Sequence, residues 1–129
     1  VAGQLFKEML KRKVQVIGAR VLVLGLTFKE NCPDLRNTRV IDVIRELKDY
    51  EIQVDVYDPW TNGDQAQHEF GLDLVSTPLN NTYDGIILAV AHDEFKEMGA
   101  KAIRKFGKVN HVLYDLKNVF DFQESDLRL

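Results

Sequence analysis

A doubly wound parallel α/β sheet is the fold class the sequence predicts, and three observations predict it. Short apolar runs alternate with amphipathic stretches along the whole chain. The strongest run, Ala19 to Leu26, is almost continuously apolar and rich in Val and Leu, as a strand covered on both faces must be. The 129 residues, 45% hydrophobic and 29% charged, fit one globular domain able to bury roughly two thirds of its unfolded surface.

Each element has its own justification. In residues 1–13, Ala2, Leu5, Phe6, Met9 and Leu10 share one helical face, with Lys7, Glu8 and Lys11 opposite. The chain begins at Val1 rather than Met. Residues 1–13 are therefore expected to be the end of a connection from an upstream region, and 14–129 the α/β domain. Ala19 to Leu26 is the first strand. The loop Thr27 to Asn37 follows, and Asn37 or Thr38 can cap a helix over Arg39 to Tyr50, whose Val40, Ile41, Val43, Ile44 and Leu47 form one stripe. Ile52 to Tyr57 is a second strand, stopped by Asp58-Pro59. A helix covers Asp64 to Phe70 and ends at Gly71, and Leu72 to Val75 is a short third strand. Ile86 to Ala91 is the fourth strand. His92 and Asp93 open a helical region that breaks near Gly99 and ends at Gly107. His111 to Tyr114 is the last strand, followed by Asp115-Leu116-Lys117. Right-handed crossovers then predict a Rossmann-like three-layer α/β/α architecture with strand order 3-2-1-4-5.

Composition narrows the function. A net charge of −3 and a pI near 5.6 argue against a nucleic-acid partner, though a local cationic site is allowed. A single cysteine, Cys32, excludes an internal disulfide framework and suits a reducing, cytoplasmic setting. The longest apolar runs are about a third of a membrane span. Three scattered histidines make no metal site: His68 lies in a polar helix, His111 opens a strand, and His92 starts a helix near the ligand edge.

In open α/β sheets, ligands bind beyond the carboxyl ends of the strands, where strand order reverses. That points to the loop after the first strand, Gly25 to Thr38. It lacks the glycines of a G-x-G-x-x-G fingerprint, so a self-sufficient NAD domain is not expected. It offers Lys29 and Arg36 before a helix N-terminus, Phe28 as an apolar face, and Asp34 to orient Arg36. This suits a phosphate or pyrophosphate. Spacing alone leaves a solvated loop with scattered charges equally open, and Lys117 reads either as a third cation or as a surface lysine. Cys32 reads as structural, and Asp58-Pro59-Trp60 as a strand stop with an aromatic plug.

Leu24-Gly25-Leu26-Thr27-Phe28-Lys29, then Pro33-Asp34-Leu35-Arg36-Asn37-Thr38, Tyr57-Asp58-Pro59 and Tyr83-Asp84, resemble the C-terminal domain of the UDP-glucose/GDP-mannose dehydrogenase family. The resemblance runs from about Val16 to Asp121 and is most similar to the branch acting on UDP-N-acetylhexosamines in surface-polysaccharide synthesis. It implies an oxidoreductase that converts C6 of a UDP-sugar from alcohol to carboxylate. NAD would be held mainly by an N-terminal domain, with the nucleophilic cysteine and acid/base lysine also upstream. By motif, Phe28, Lys29 and Lys117 would contact substrate and Arg36 would reach NAD across the cleft. Lys117 stands where several relatives have arginine, and lysine cannot make the bidentate contact. The partners implied are the UDP-sugar and the upstream domains, with room for a homo-oligomer. This chain alone is expected to be inactive. Two rival readings are a phosphoacceptor receiver-like domain, in which Asp58 and Lys117 would be the reactive pair, and an oligomerisation module without ligand. The receiver reading lacks the acidic pair for Mg²⁺ after the first strand, where Gly25, Leu26 and Thr27 stand.

Overall fold

In the computed structural model, which describes residues 1–129, helices and strands alternate. The order is α1 (Ala2–Lys11), β1 (Arg20–Leu24), α2 (Val40–Asp49), β2 (Gln53–Tyr57), α3 (Gly63–Phe70), β3 (Tyr83–Leu88), α4 (Asp93–Arg104), β4 (Gly107–Asp115) and β5 (Leu127–Arg128). The strands form one parallel sheet in the order β2-β1-β3-β4-β5. The order reverses on either side of β1, so the switch point lies beside β1, as the sequence predicts.

The expected order 3-2-1-4-5 needs correction at both edges. The segment expected as the third strand, Leu72 to Val75, makes only a single parallel bridge, Val56 to Leu74. The chain bends away at Ser76–Thr77 before a ladder can grow. The opposite edge gains β5, which pairs Leu127 with Tyr114 and Arg128 with Asp115. Asp126 pins this edge: its Oδ2 accepts Leu113 N–H at 2.8 Å and Arg104 Nη1 at 3.1 Å. Two residues are too few to show a strand periodicity. Gly107 begins β4 instead of merely ending the helix before it. A register shift follows: Tyr83 faces Gly107 but Gly85 faces Val112.

Alternation along the strands divides the core. Val21, Val23, Ile87, Val112 and Tyr114 face α1 and α2. Leu22, Leu24, Ile86, Leu88 and Leu113 face Phe95, Ala100 and Ile103 of α4. Helix α1 buries Ala2, Leu5 and Met9 completely, and Tyr114 Oη hydrogen-bonds Gln4 across to it. In α4, Gly99 leaves the helical region (φ 79°, ψ 161°) at the break the sequence predicts.

Gly25 ends β1 with φ +101°, in the region that disfavours side chains. A Cβ there would lie 2.6 Å from Val90 Cβ and 2.9 Å from Val90 N. The β1 and β3 ends thus meet backbone to side chain at the switch point. Gly25→Ala combines backbone strain with a clash and should cost roughly 2–5 kcal/mol. Urea denaturation measures this; a loss under 1 kcal/mol would mean the two strand ends are free to separate.

Candidate functional site

The carboxyl edge is organised by Asp58, the residue after β2. Its side chain is fully buried. Oδ2 accepts the N–H groups of Leu26 at 2.7 Å and Thr27 at 3.0 Å and the Nε2 of His92 at 3.0 Å; Oδ1 accepts Trp60 N–H at 2.7 Å. Burial alone would raise its pKa. The hydrogen bonds from His92, Leu26, Trp60 and Thr27 outweigh burial and hold the carboxyl below its ordinary value. What the sequence reads as a strand stop is therefore an ionised anchor joining the ends of β1, β2 and β3.

A second layer fixes the loop after β1. Thr38 Oγ1 donates to Leu26 O at 2.6 Å and accepts Val40 N–H at 3.2 Å, so Thr38 serves the start of α2 from just outside it. Arg39 is the N-cap and makes no side-chain capping bond. Asn31 N–H donates to His92 Nδ1 at 2.9 Å, and Asn31 Oδ1 accepts Asp93 N–H at 2.9 Å. Trp60 stacks on the His92 ring at 6.0 Å and donates from Nε1 to Glu94.

Against this frame lies a cleft of about 200 Å³. Thr27 to Glu30 form one side, Asn37 to Val40 another, Ala89 and Val90 the sheet wall, and Lys117 closes it from the β4 side. Phe28, Lys29 and Lys117, singled out from the sequence, thus line one cavity. Arg36 does not line it. Its side chain is exposed and forked onto Asp34, Nε to Oδ1 at 3.0 Å and Nη2 to Oδ2 at 3.1 Å. The Arg36 guanidinium holds the Asp34 carboxyl below its ordinary value.

Sequence reasoning missed Arg39 and the Ala89–Val90 wall. The signal for Arg39 was its position at the expected start of α2, a place where a cation opposes the helix dipole. Lys29, Arg39 and Lys117 make no ion pair with any carboxylate. Three cations without an ion pair outnumber Glu30, the one carboxylate among the lining residues, and beside a helix start they provide the charge and the donors for a phosphate or diphosphate. The β1 turn does not fit a dinucleotide pyrophosphate of its own: the space beside Gly25 is filled by Val90.

Comparison with known proteins agrees with the geometry. Residues 22–122 match the UDP-glucose/GDP-mannose dehydrogenase family, UDP binding domain, and the chain belongs to that family. It is 64% identical over 129 residues to the UDP-N-acetyl-D-glucosamine 6-dehydrogenase of Pseudomonas aeruginosa, covering 100% of this chain and 31% of the relative. It is 52% identical to the enzyme of that name from Salmonella typhi, covering 100% of this chain and 30% of that relative. The chain therefore spans about a third of the length of these curated relatives. A solved UDP-D-ManNAc dehydrogenase from Pyrococcus horikoshii superposes with a TM-score of 0.74 at 26% identity, over 94% of this chain and 27% of that one. No helix is long and apolar enough to cross a membrane.

Because the Asp58 carboxyl is held below its unfolded value, its stabilisation is complete above the ordinary carboxylate range. It is lost as pH falls through the lowered value. Asp58→Asn should cost roughly 2–4 kcal/mol at neutral pH, since one oxygen acceptor becomes a donor facing N–H groups. It should also flatten the loss of stability on acidification below the ordinary carboxylate range. Urea midpoints across pH check both. An unchanged acid slope would assign that sensitivity to Asp126 and Asp34, the other carboxyls held below their ordinary value.

Proposed function

We propose that this chain is the nucleotide-binding part of an NAD-dependent UDP-sugar 6-dehydrogenase. Its substrate is a UDP-N-acetylhexosamine, whose C6 alcohol is oxidised to a carboxylate for polysaccharide synthesis in the cytoplasm. The observation that carries the reading is the convergence of Phe28, Lys29 and Lys117 on one cleft at the switch point. Lys29 and Lys117 supply charge to the diphosphate, and Phe28, half exposed, offers a ring face to the nucleotide sugar. Arg36, held by Asp34 outside the cleft, serves NAD bound by another part of the full-length enzyme. Support for the sugar class comes from the two bacterial relatives, both UDP-N-acetyl-D-glucosamine 6-dehydrogenases.

The receiver-like reading has no support. Asp58 is fully buried and accepts four hydrogen bonds, so no oxygen is free to take a phosphoryl group.

The division of roles is testable. UDP should bind this chain weakly, on the order of millimolar, because the other half of the cleft belongs to the upstream part of the full-length enzyme. Lys29→Ala should weaken binding by about 10-fold or more, the worth of a charge-assisted hydrogen bond, whereas Arg36→Ala should leave it within about twofold. Calorimetric titration of both variants decides; equal effects would end the division. The chain alone should reduce no NAD⁺ with any UDP-sugar. In the full-length enzyme, Cys32→Ser should leave kcat within a few-fold, and a loss near 10³-fold, about 4 kcal/mol, would make Cys32 the nucleophile.

A further inference from the structure

We propose that His92 is a positioning residue for the nucleotide cleft. Its ring holds the loop carrying Phe28 and Lys29 in place through Asn31. The proposal rests on the reading of this cleft as a nucleotide site.

His92 is fully buried and occupies the N-cap position of α4, yet its side chain makes no capping bond there. Its nitrogens serve other partners. A backbone N–H can only donate, so Nδ1, which meets Asn31 N–H at 2.9 Å, must present its lone pair. Nε2 then carries the proton and donates it to Asp58 Oδ2 at 3.0 Å. Thr27 Oγ1, 3.2 Å from Nε2, sends its own proton to Lys29 O at 3.1 Å and leaves a lone pair toward the ring. Both neighbours therefore select the same neutral tautomer.

The consequence falls on Lys29. Residues 28–30 are exposed and have little packing to order them. Phe28 N–H donates to Asp34 O at 2.8 Å, and the remaining ties, those nearest Lys29, run through Thr27 on one side and Asn31 on the other. Asn31 adopts a left-handed backbone (φ 55°), which turns its N–H onto His92 while its Oδ1 takes Asp93 N–H. Trp60, stacked on the ring and bound to Glu94, together with Phe95 at 5.7 Å, keeps the imidazole from swinging away. An unanchored loop would populate the binding geometry only part of the time, and affinity would fall by that fraction.

Two substitutions split the ring's duties. His92→Asn puts an acceptor near the Nδ1 position and can keep the Asn31 tie while losing Asp58. His92→Gln puts a donor near the Nε2 position and can keep Asp58 while losing Asn31. A third, Asn31→Gly, keeps the left-handed backbone and N–H but removes the Oδ1 bond to Asp93; being on an exposed loop, it should fold even if the His92 variants do not. UDP affinity, thermal midpoint and amide exchange at Asn31 are measured for each. His92→Gln should raise Asn31 exchange and weaken UDP by about tenfold, whereas His92→Asn should stay within about threefold, whichever loses more thermal stability. Asn31→Gly should weaken UDP by about threefold with little change in midpoint, a hydrogen bond's usual worth. Unchanged affinity in His92→Gln and Asn31→Gly, with the parent chain binding UDP, would overturn the positioning role alone. So would losses that follow the thermal midpoint instead of the Asn31 tie. A parent chain that does not respond to UDP at several millimolar would overturn the nucleotide reading and this role with it.

Discussion

A buried negative charge governs this edge of the molecule. An ionised carboxylate without water survives only if its oxygens are filled by donors. Asp58 obtains them from three places: the backbone turn after β1, the residue two beyond itself, and the imidazole at the start of α4. Because those donors come from segments following three different strands, satisfying one carboxylate aligns the ends of β1, β2 and β3. Gly25 adds the steric half of the same constraint, since only a residue without Cβ lets β1 close against Val90. The frame beside the cleft, which it shares at Thr27, is held firmly because removing any partner leaves a buried charge or a buried N–H unpaired.

The cationic side chains lining the cleft follow the opposite rule. Lys29, Arg39 and Lys117 are exposed, unpaired and of one sign. Arg39 even sits at the positive end of the α2 dipole, where a cation is disfavoured. Such an arrangement gains no ion pair within the chain, and in the proposed reading an incoming anion relieves it. Arg36 differs from its neighbours in being locked to Asp34 and held outside the cleft, a geometry suited to a second binding partner.

Much of this was legible in the sequence. Buried parallel strands announce themselves as apolar runs, so β1 and β3 and the switch point between them could be read from Ala19 to Leu26 and Ile86 to Ala91. Phe28, Lys29 and Lys117 followed from strand order and motif, and they do share a cavity. The edges were harder. Leu72 to Val75 has strand composition, but a ladder depends on where the chain turns next, and β5 is held by Asp126 from outside the strand. A strand stop and a helix start explain Asp58 and His92 locally, so the sequence alone points to no larger role for them. Apart from Trp60, two residues on from Asp58, the hydrogen-bond partners of their side chains lie 31 to 65 positions away in sequence, a separation that no local pattern encodes. Arg39 was hidden for a related reason: helix periodicity says which face is buried, not what the exposed N-cap overlooks.

The central claim is that the cationic cleft at the switch point holds the diphosphate of a nucleotide. A crystal structure of this chain with UDP tests it most directly. The account predicts phosphate density between the Lys29 and Lys117 ammonium groups, with the Arg39 guanidinium turned toward it. Density at the amino edge instead, in the hollow lined by Lys13, Asn81 and Lys108, or none in the cleft at saturating UDP, would contradict it.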